Sequence, residues 1–158
     1  MKRTDFDELA FFRAIGSSGA RALLIGRRAL VVLGLPVLTA DYDFWLHIDD
    51  IETFNEGVGA FDLHPSLEAR AARGRGRYVL ENDEHVDVLV ARSVPTVDGQ
   101  VVSFDELWAR RQLAPLADGV SVALPSVADL ILTKRFAARP KDIEDIRQLE
   151  ILRKERGR

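Results

Sequence analysis

A chain of 158 residues, 47% hydrophobic and 30% charged, has an ordinary globular composition and enough length to bury a core. Cysteine is absent, which excludes disulfides and thiolate metal sites and suits a reducing compartment. A formal charge of −3 gives no overall pull toward nucleic acid, so contact with a polyanion has to come from a local patch.

The opening MKRTDFDELAFF places acids ahead of any apolar stretch and does not read as a secretory signal. The longest apolar run, residues 29–40, is broken by Gly34, Pro36 and Thr39 and is too short to span a bilayer. The expected location is cytoplasmic, with no membrane partner. Asp5 and Glu8 have capping-box spacing, so a first helix is expected through about Ile15, ended by Gly16-Ser17-Ser18-Gly19. Ala22 to Ile25 reads as a buried strand, Arg27 to Leu33 as a helix stopped by Gly34 and Pro36, and Asp41 to Ile48 as a second strand. Asp49-Asp50 then introduce a helix marked by Ile51, Phe54 and Val58.

LEARAARGRGR, from Leu67 to Arg77, is helical in its first half and opens into a turn at Gly74 and Gly76. Tyr78 to Leu80 and His85 to Val90 read as a hairpin around the polar turn Glu81 to Glu84. Pro95 to Gly99 is expected as a loop, Ser103 to Trp108 as a helix, and Val120 to Leu124 as a short strand. A helix from Ser126 to about Ala138 is broken at Arg139-Pro140, and a final amphipathic helix uses Ile143, Ile146 and Leu149. Strands alternating with helices imply an α/β (α+β) fold, a mixed β-sheet flanked by helices. One domain is expected over residues 1–158, with an N-terminal helix (1–20), an α/β core (22–124) and C-terminal helices (125–154).

Asp41 and Asp43 are two apart on a strand, so both carboxylates leave the same face. At about 4 Å they repel by roughly 4 kcal/mol at an effective dielectric near 20, a cost that a divalent cation turns into attraction. The spacing is equally that of a solvated strand end. Asp87 adds weight, because it interrupts the apolar strand 85–90, where an unpartnered acid is costly. If that strand neighbours the first, three acids meet, two anchoring metal and the third serving a second metal or a proton; otherwise Asp87 faces solvent. Gly26, between strand and helix, leaves room for a phosphate at the backbone, with Arg27 and Arg28 adding fixed charge. Lys134 lies in the middle of the apolar arc of Val127, Leu130, Ile131, Ala137 and Ala138. It either reaches a nucleotide phosphate or an aspartate, forms a structural ion pair, or snorkels to solvent. Arg70, Arg73, Arg75 and Arg77 form a basic patch beside Tyr78, able to hold an RNA backbone or simply to be solvated. His47, His64 and His85 lack zinc-like spacing and read as structural.

LIGRRALVVLGLPVLTADYDFWL, from Leu24, resembles the signature of the nucleotidyltransferase superfamily, the fold of polymerase-β-like and aminoglycoside nucleotidyltransferase-like proteins. That signature is a hydrophobic residue, Gly, then Gly or Ser, a gap, and Asp-hydrophobic-Asp. His85-Val86-Asp87-Val88-Leu89 is similar to its third-acid strand. LPSVADLILTKRFAARPKDIEDIRQLE resembles the C-terminal segment of small bacterial members related to toxin–antitoxin nucleotidyltransferases, including Lys134 and the pair Lys141-Asp142. The resemblance implies transfer of a nucleoside monophosphate from an NTP to a hydroxyl of RNA, protein or a small molecule, with Mg²⁺ or Mn²⁺. It implies that Asp41, Asp43 and Asp87 hold metal, that Gly26, Arg27, Arg28 and Lys134 bind nucleotide, and that a cognate partner protein exists. Two departures stand out. Arg27 replaces the usual Gly or Ser, either as an ionic contact to phosphate or as a block, and no basic residue shortly precedes Asp41. The alternative is a catalytically impaired relative that binds nucleotide or a partner; a third reading is an RNA-contacting domain using the arginine patch.

Overall fold

Alternation along one strand divides the molecule into two faces. In the computed structural model, which describes residues 6–117 and 119–157, that strand is β2 (Asp41–Leu46). Before it, β1 (Ala22–Ile25) pairs with it antiparallel, Leu24 opposite Phe44 and Ile25 opposite Asp43. A two-residue strand β3 (His64–Pro65) pairs with β4 (Arg77–Glu81), and β4 forms the expected hairpin with β5 (His85–Leu89). The hairpin joins the first strands because β5 lies parallel to β2. The result is a five-stranded mixed sheet in the order β1-β2-β5-β4-β3.

Tyr42, Phe44 and Leu46 project to one side with Leu24, Val86, Val88, Tyr78 and Leu80, where they form the main core. That side is covered by α1 (Glu8–Ser18), through Phe11, Phe12 and Ile15, by α2 (Gly26–Val32), through Ala29 and Leu30, and by α3 (Ile51–Gly57), through Ile51 and Phe54. On the opposite side Leu23, Ile25 and Trp45 build a smaller core. It is completed by the hairpin of β6 (Ser93–Pro95) and β7 (Val101–Ser103) and by α5 (Phe104–Ala109), after α4 (Ala69–Arg75) has led into β4. Trp45 fixes this layer by donating its indole N–H to the Ala91 carbonyl at 2.8 Å. A second hairpin, β8 (Gln112–Ala117) with β9 (Val120–Leu124), precedes α6 (Val127–Lys134) and α7 (Pro140–Arg156). Among the described residues no helix is long and apolar enough to cross a membrane.

Four expectations need correction. The first helix is capped by Asp7, whose carboxylate accepts from the Ala10 N–H at 3.0 Å, and Asp5 lies outside the described residues. The loop expected over 95–99 is the turn of the β6–β7 hairpin, with Pro95 ending β6, and the two strands that flank it were not expected; three-residue strands are too short to show alternation. β8 was not expected at all. Pro115 interrupts its pattern, and the pairing with β9 carries a register irregularity between Pro115 and Ala117, the kind of place where a sheet tolerates proline. Finally, α6 stops at Lys134 instead of about Ala138. The Arg135 carbonyl is taken by the Val97 N–H at 2.8 Å, and the residue before Pro140 is extended.

Phe44 is 1% exposed and meets the rings of Phe11, Phe12 and Phe54 at centroid distances of 6.1, 6.5 and 5.5 Å. Phe44→Ala is expected to lower unfolding free energy by about 3–5 kcal/mol, measured by denaturant titration.

Candidate active site

The three acids meet because β2 and β5 run side by side in the same direction. Asp43 lies directly opposite Asp87, and Asp41 opposite His85. Same-face alternation then puts Asp41, Asp43, His85 and Asp87 together on the side of the sheet that carries Trp45. Burial, together with the Asp87 and Asp41 charges and a hydrogen bond with Asp87, pushes the Asp43 carboxyl up to about 6, against the opposing pull of Lys134. The His85 ring contacts Asp87 through Nε2 at 3.1 Å and Glu81 through Nδ1 at 3.3 Å. Burial lowers the basicity of His85, but Glu81 and Asp87 outweigh it and the net shift is upward. Crowded carboxylates held by backbone pairing are an oxygen-rich donor set, and their mutual repulsion is the charge problem that a hard divalent cation relieves. By that chemistry the residues fit Mg²⁺ or Mn²⁺, although among the described residues no three acids or histidines are drawn into a closed cation cage.

Gly26 has φ +69, and a Cβ there would run into the Asp43 carboxylate. Glycine is therefore required at this turn both by the backbone and by the acid packed against it. The next residue, Arg27, turns to α7. Its Nε and Nη2 donate to the two oxygens of Asp145 at 3.1 and 3.2 Å, and Nη1 donates to the Leu38 carbonyl at 3.3 Å. Lys134, 6% exposed, donates to the same Asp145 at 2.8 Å. Asp145 is 0% exposed. Burial alone would raise its pKa, but the bonds from Lys134 and Arg27 hold it below the usual carboxylate range. Of the alternatives open for Lys134, the structure shows an ion pair.

A cavity of about 570 Å³ opens over these groups. Gly26, Arg27, Asp41, Asp43, Asp87 and Lys134 all line it, whereas Arg28 does not. Arg28 instead covers the Tyr42 ring at 4.2 Å and donates to the carbonyls of Thr39 and Asp41 at 3.2 and 3.4 Å. The arginine patch also divides. Arg73 is committed to Glu52 and to the Ile48 carbonyl, while Arg75 and Arg77 line the cavity. Sequence reasoning missed Asp145, His85 and Arg139. His85 could have been found from its position two before Asp87, on the same strand face. Arg139 holds the buried Asp142 at 2.7 Å and lines the same cavity with Lys141. Asp145 gave no usable signal, because on a helix rich in charge nothing distinguishes the acids that turn inward, Asp142 and Asp145, from the others.

A family model described as "Nucleotidyltransferase of unknown function (DUF6036)" matches residues 21–155. Comparison with curated proteins finds no match. Among solved structures, a crystal structure of a candidate nucleotidyltransferase from Thermotoga maritima aligns with TM-score 0.57 at 13% identity, covering 93% of this chain and 88% of that one. The solution structure of the antibiotic-resistance factor ANT(2'')-Ia aligns with TM-score 0.61 at 14% identity, covering 89% and 78%. At such identities these likenesses concern the fold.

Two outcomes are expected. Asp43 keeps its proton to a higher pH in the folded than in the unfolded state, so its penalty on stability grows between about pH 4 and pH 6 and is complete above. Asp43→Asn should leave thermal stability unchanged near pH 4 and raise it at pH 7.5, by about 1–3 kcal/mol in metal-free buffer. Asp145→Asn should do the opposite, because it strands two cations; a loss of about 3–5 kcal/mol in chemical unfolding is expected.

Proposed function

This chain belongs to the DUF6036 family of nucleotidyltransferases, and on that premise we propose that it moves a nucleoside monophosphate from an NTP to a hydroxyl acceptor. The observation that carries the reading is the register match of Asp43 with Asp87, beside Asp41, on the floor of a cavity that also holds Gly26, Arg27 and Lys134. Asp41, Asp43 and Asp87 would hold Mg²⁺ or Mn²⁺, which when bound supplies charge neutralisation at the triphosphate. The rest is the work of the protein's own groups. Gly26 keeps the turn open enough for the Asp43 carboxylate to sit against the backbone. Asp87, with His85 at 3.1 Å, would accept the proton of the attacking hydroxyl. Lys134 and Arg27, oriented by the buried Asp145, present positive charge from the α2 and α6 side of the cavity. Positioning and fixed charge supply most of the rate in phosphoryl-type transfer, which suits a site made of charged groups on rigid strands.

The resemblance to toxin–antitoxin-related proteins extends the proposal to a cognate partner protein. A second reading, nucleotide binding with impaired catalysis, is favoured by one observation: Arg27 stands in place of a small residue, and its guanidinium is already engaged by Asp145 and Leu38.

Thermal-shift titration with each NTP, with and without Mn²⁺, tests binding, and labelled-NTP transfer to total RNA and protein tests chemistry. Stabilisation by at least one NTP with Mn²⁺ is expected, with transfer that falls about 100-fold or more in Asp41→Asn/Asp43→Asn. Transfer that survives this double change would sink the metal assignment. Binding without any transfer would select the impaired reading.

A further inference from the structure

The carboxylates on β2 and β5 lie between two groups of cations. On the β1 side are Arg27 and Lys134, both paired with the one carboxylate of Asp145. On the β4 side are Arg75 and Arg77, which line the same cavity and are exposed. Among the described residues neither has an ion pair or a side-chain hydrogen bond. Arg77 is opposite Leu89 in the register, so it shares the face of Asp87, one step along the neighbouring strand.

The turn that presents them is rigid. Gly76, at φ +82, caps α4 and donates its N–H to the Ala72 carbonyl at 2.8 Å. Its own carbonyl accepts from the N–H groups of Val90 and Ala91 at 2.8 and 3.1 Å, which staples Arg75-Gly76-Arg77 to the end of β5. A Cβ on Gly76 would already touch Ala91 at 3.4 Å. Two unpaired arginines thus extend from a backbone position fixed beside a negatively charged floor. Mutual attraction between that floor and free arginines would ordinarily pair them. Their separation leaves two planar forks for an anion brought from outside, and guanidinium geometry matches phosphate.

We propose that Arg75 and Arg77 bind the phosphates of a single-stranded RNA 3′ end, placing its terminal hydroxyl over the carboxylates. The proposal rests on the transfer reading for its chemistry but not for the binding itself. With the triphosphate on the Arg27–Lys134 side, in-line displacement needs the acceptor on the opposite side of the acids, which is where these arginines are. A polynucleotide end carries a phosphate one residue from its hydroxyl, so cations that line the same cavity as the acids have a phosphate to meet. Polyanion binding by a chain of net charge −3 also requires a local patch of this kind. In the step itself the 3′ oxygen bonds the α-phosphorus, the α–β bridging P–O bond breaks and pyrophosphate leaves with that electron pair. The hydroxyl proton passes to the Asp87 carboxylate.

The test is fluorescence anisotropy of a short 5′-labelled RNA with a free 3′ hydroxyl, across a salt series, on wild type, Arg75→Gln/Arg77→Gln and a control of equal charge, Arg147→Gln/Arg153→Gln on α7. Wild type should bind with affinity that falls with salt. The Arg75/Arg77 variant should lose about tenfold or more and flatten the log–log slope by about 1.4, two phosphates at about 0.7 each. The control should match wild type. NTP–Mn²⁺ thermal shifts run in parallel, and should be retained in the Arg75/Arg77 variant. RNA affinity that is undetectable, unchanged in the variant, or equally weakened by the control overturns the proposal, as does transfer of label to protein in preference to RNA. A variant that keeps RNA affinity and loses the NTP shift also overturns it, by making these residues nucleotide ligands. Arginine-dependent RNA binding by a wild type that shows no NTP shift upholds this binding site, and sinks the transfer reading alone.

Discussion

Everything at the site depends on one pairing, the parallel alignment of β2 with β5 that sets Asp43 against Asp87. Backbone hydrogen bonds fix the two strands, so the carboxylates stay side by side despite their repulsion, and Asp43 is in addition partly buried. That confinement, through burial and the Asp87 and Asp41 charges, pushes the Asp43 pKa up. An acid kept where it destabilises the fold is a pattern expected of function, since a polar or apolar residue in its place would cost less. The same sheet face is apolar one step along, at Trp45 and Leu89, so the charged cluster rests on a rigid support.

A second constraint organises the other wall. Asp145 joins α7 to Arg27 at the start of α2 and to Lys134 at the end of α6, so three helices are tied at one buried carboxylate. Two cations around one anion leave net positive charge, which faces a cavity whose floor is negative. Lys134 already lowers the Asp43 pKa from across that space. The site is therefore polarised before any ligand arrives, with positive charge on the α2 and α6 side, acids in the middle and free arginines on the β4 side. This order of charges suits a donor and an acceptor approaching the acids from opposite directions.

Much of this layout was legible in the sequence, because short-range rules fix short-range features. Asp41 and Asp43 share a strand face by the two-residue period, and Gly26 marks a strand-to-helix turn wherever the strand goes. The hairpin of Tyr78–Leu80 with His85–Val90 followed from its polar turn, and the mixed sheet flanked by helices followed from the order of elements. Four strands escaped, β3, β6, β7 and β8, because strands of two or three residues, or one broken by Pro115, carry too little periodicity.

What the sequence could not decide were choices between partners. Asp87 could face solvent or the other acids until β5 was seen beside β2, and pairing between distant strands is set by the whole core rather than by either strand. Lys134 had a phosphate, one of the site aspartates, a structural ion pair or solvent open to it, and the inward turn of Asp145 selected the structural ion pair. The four arginines from Arg70 to Arg77 looked alike as a patch. Only the tertiary fold paired Arg73 with Glu52 on α3 and, with Gly76 bonded to Val90 and Ala91, left Arg75 and Arg77 at the cavity. Charge in a sequence names what can be attracted; the tertiary fold decides which opposite charge is within reach.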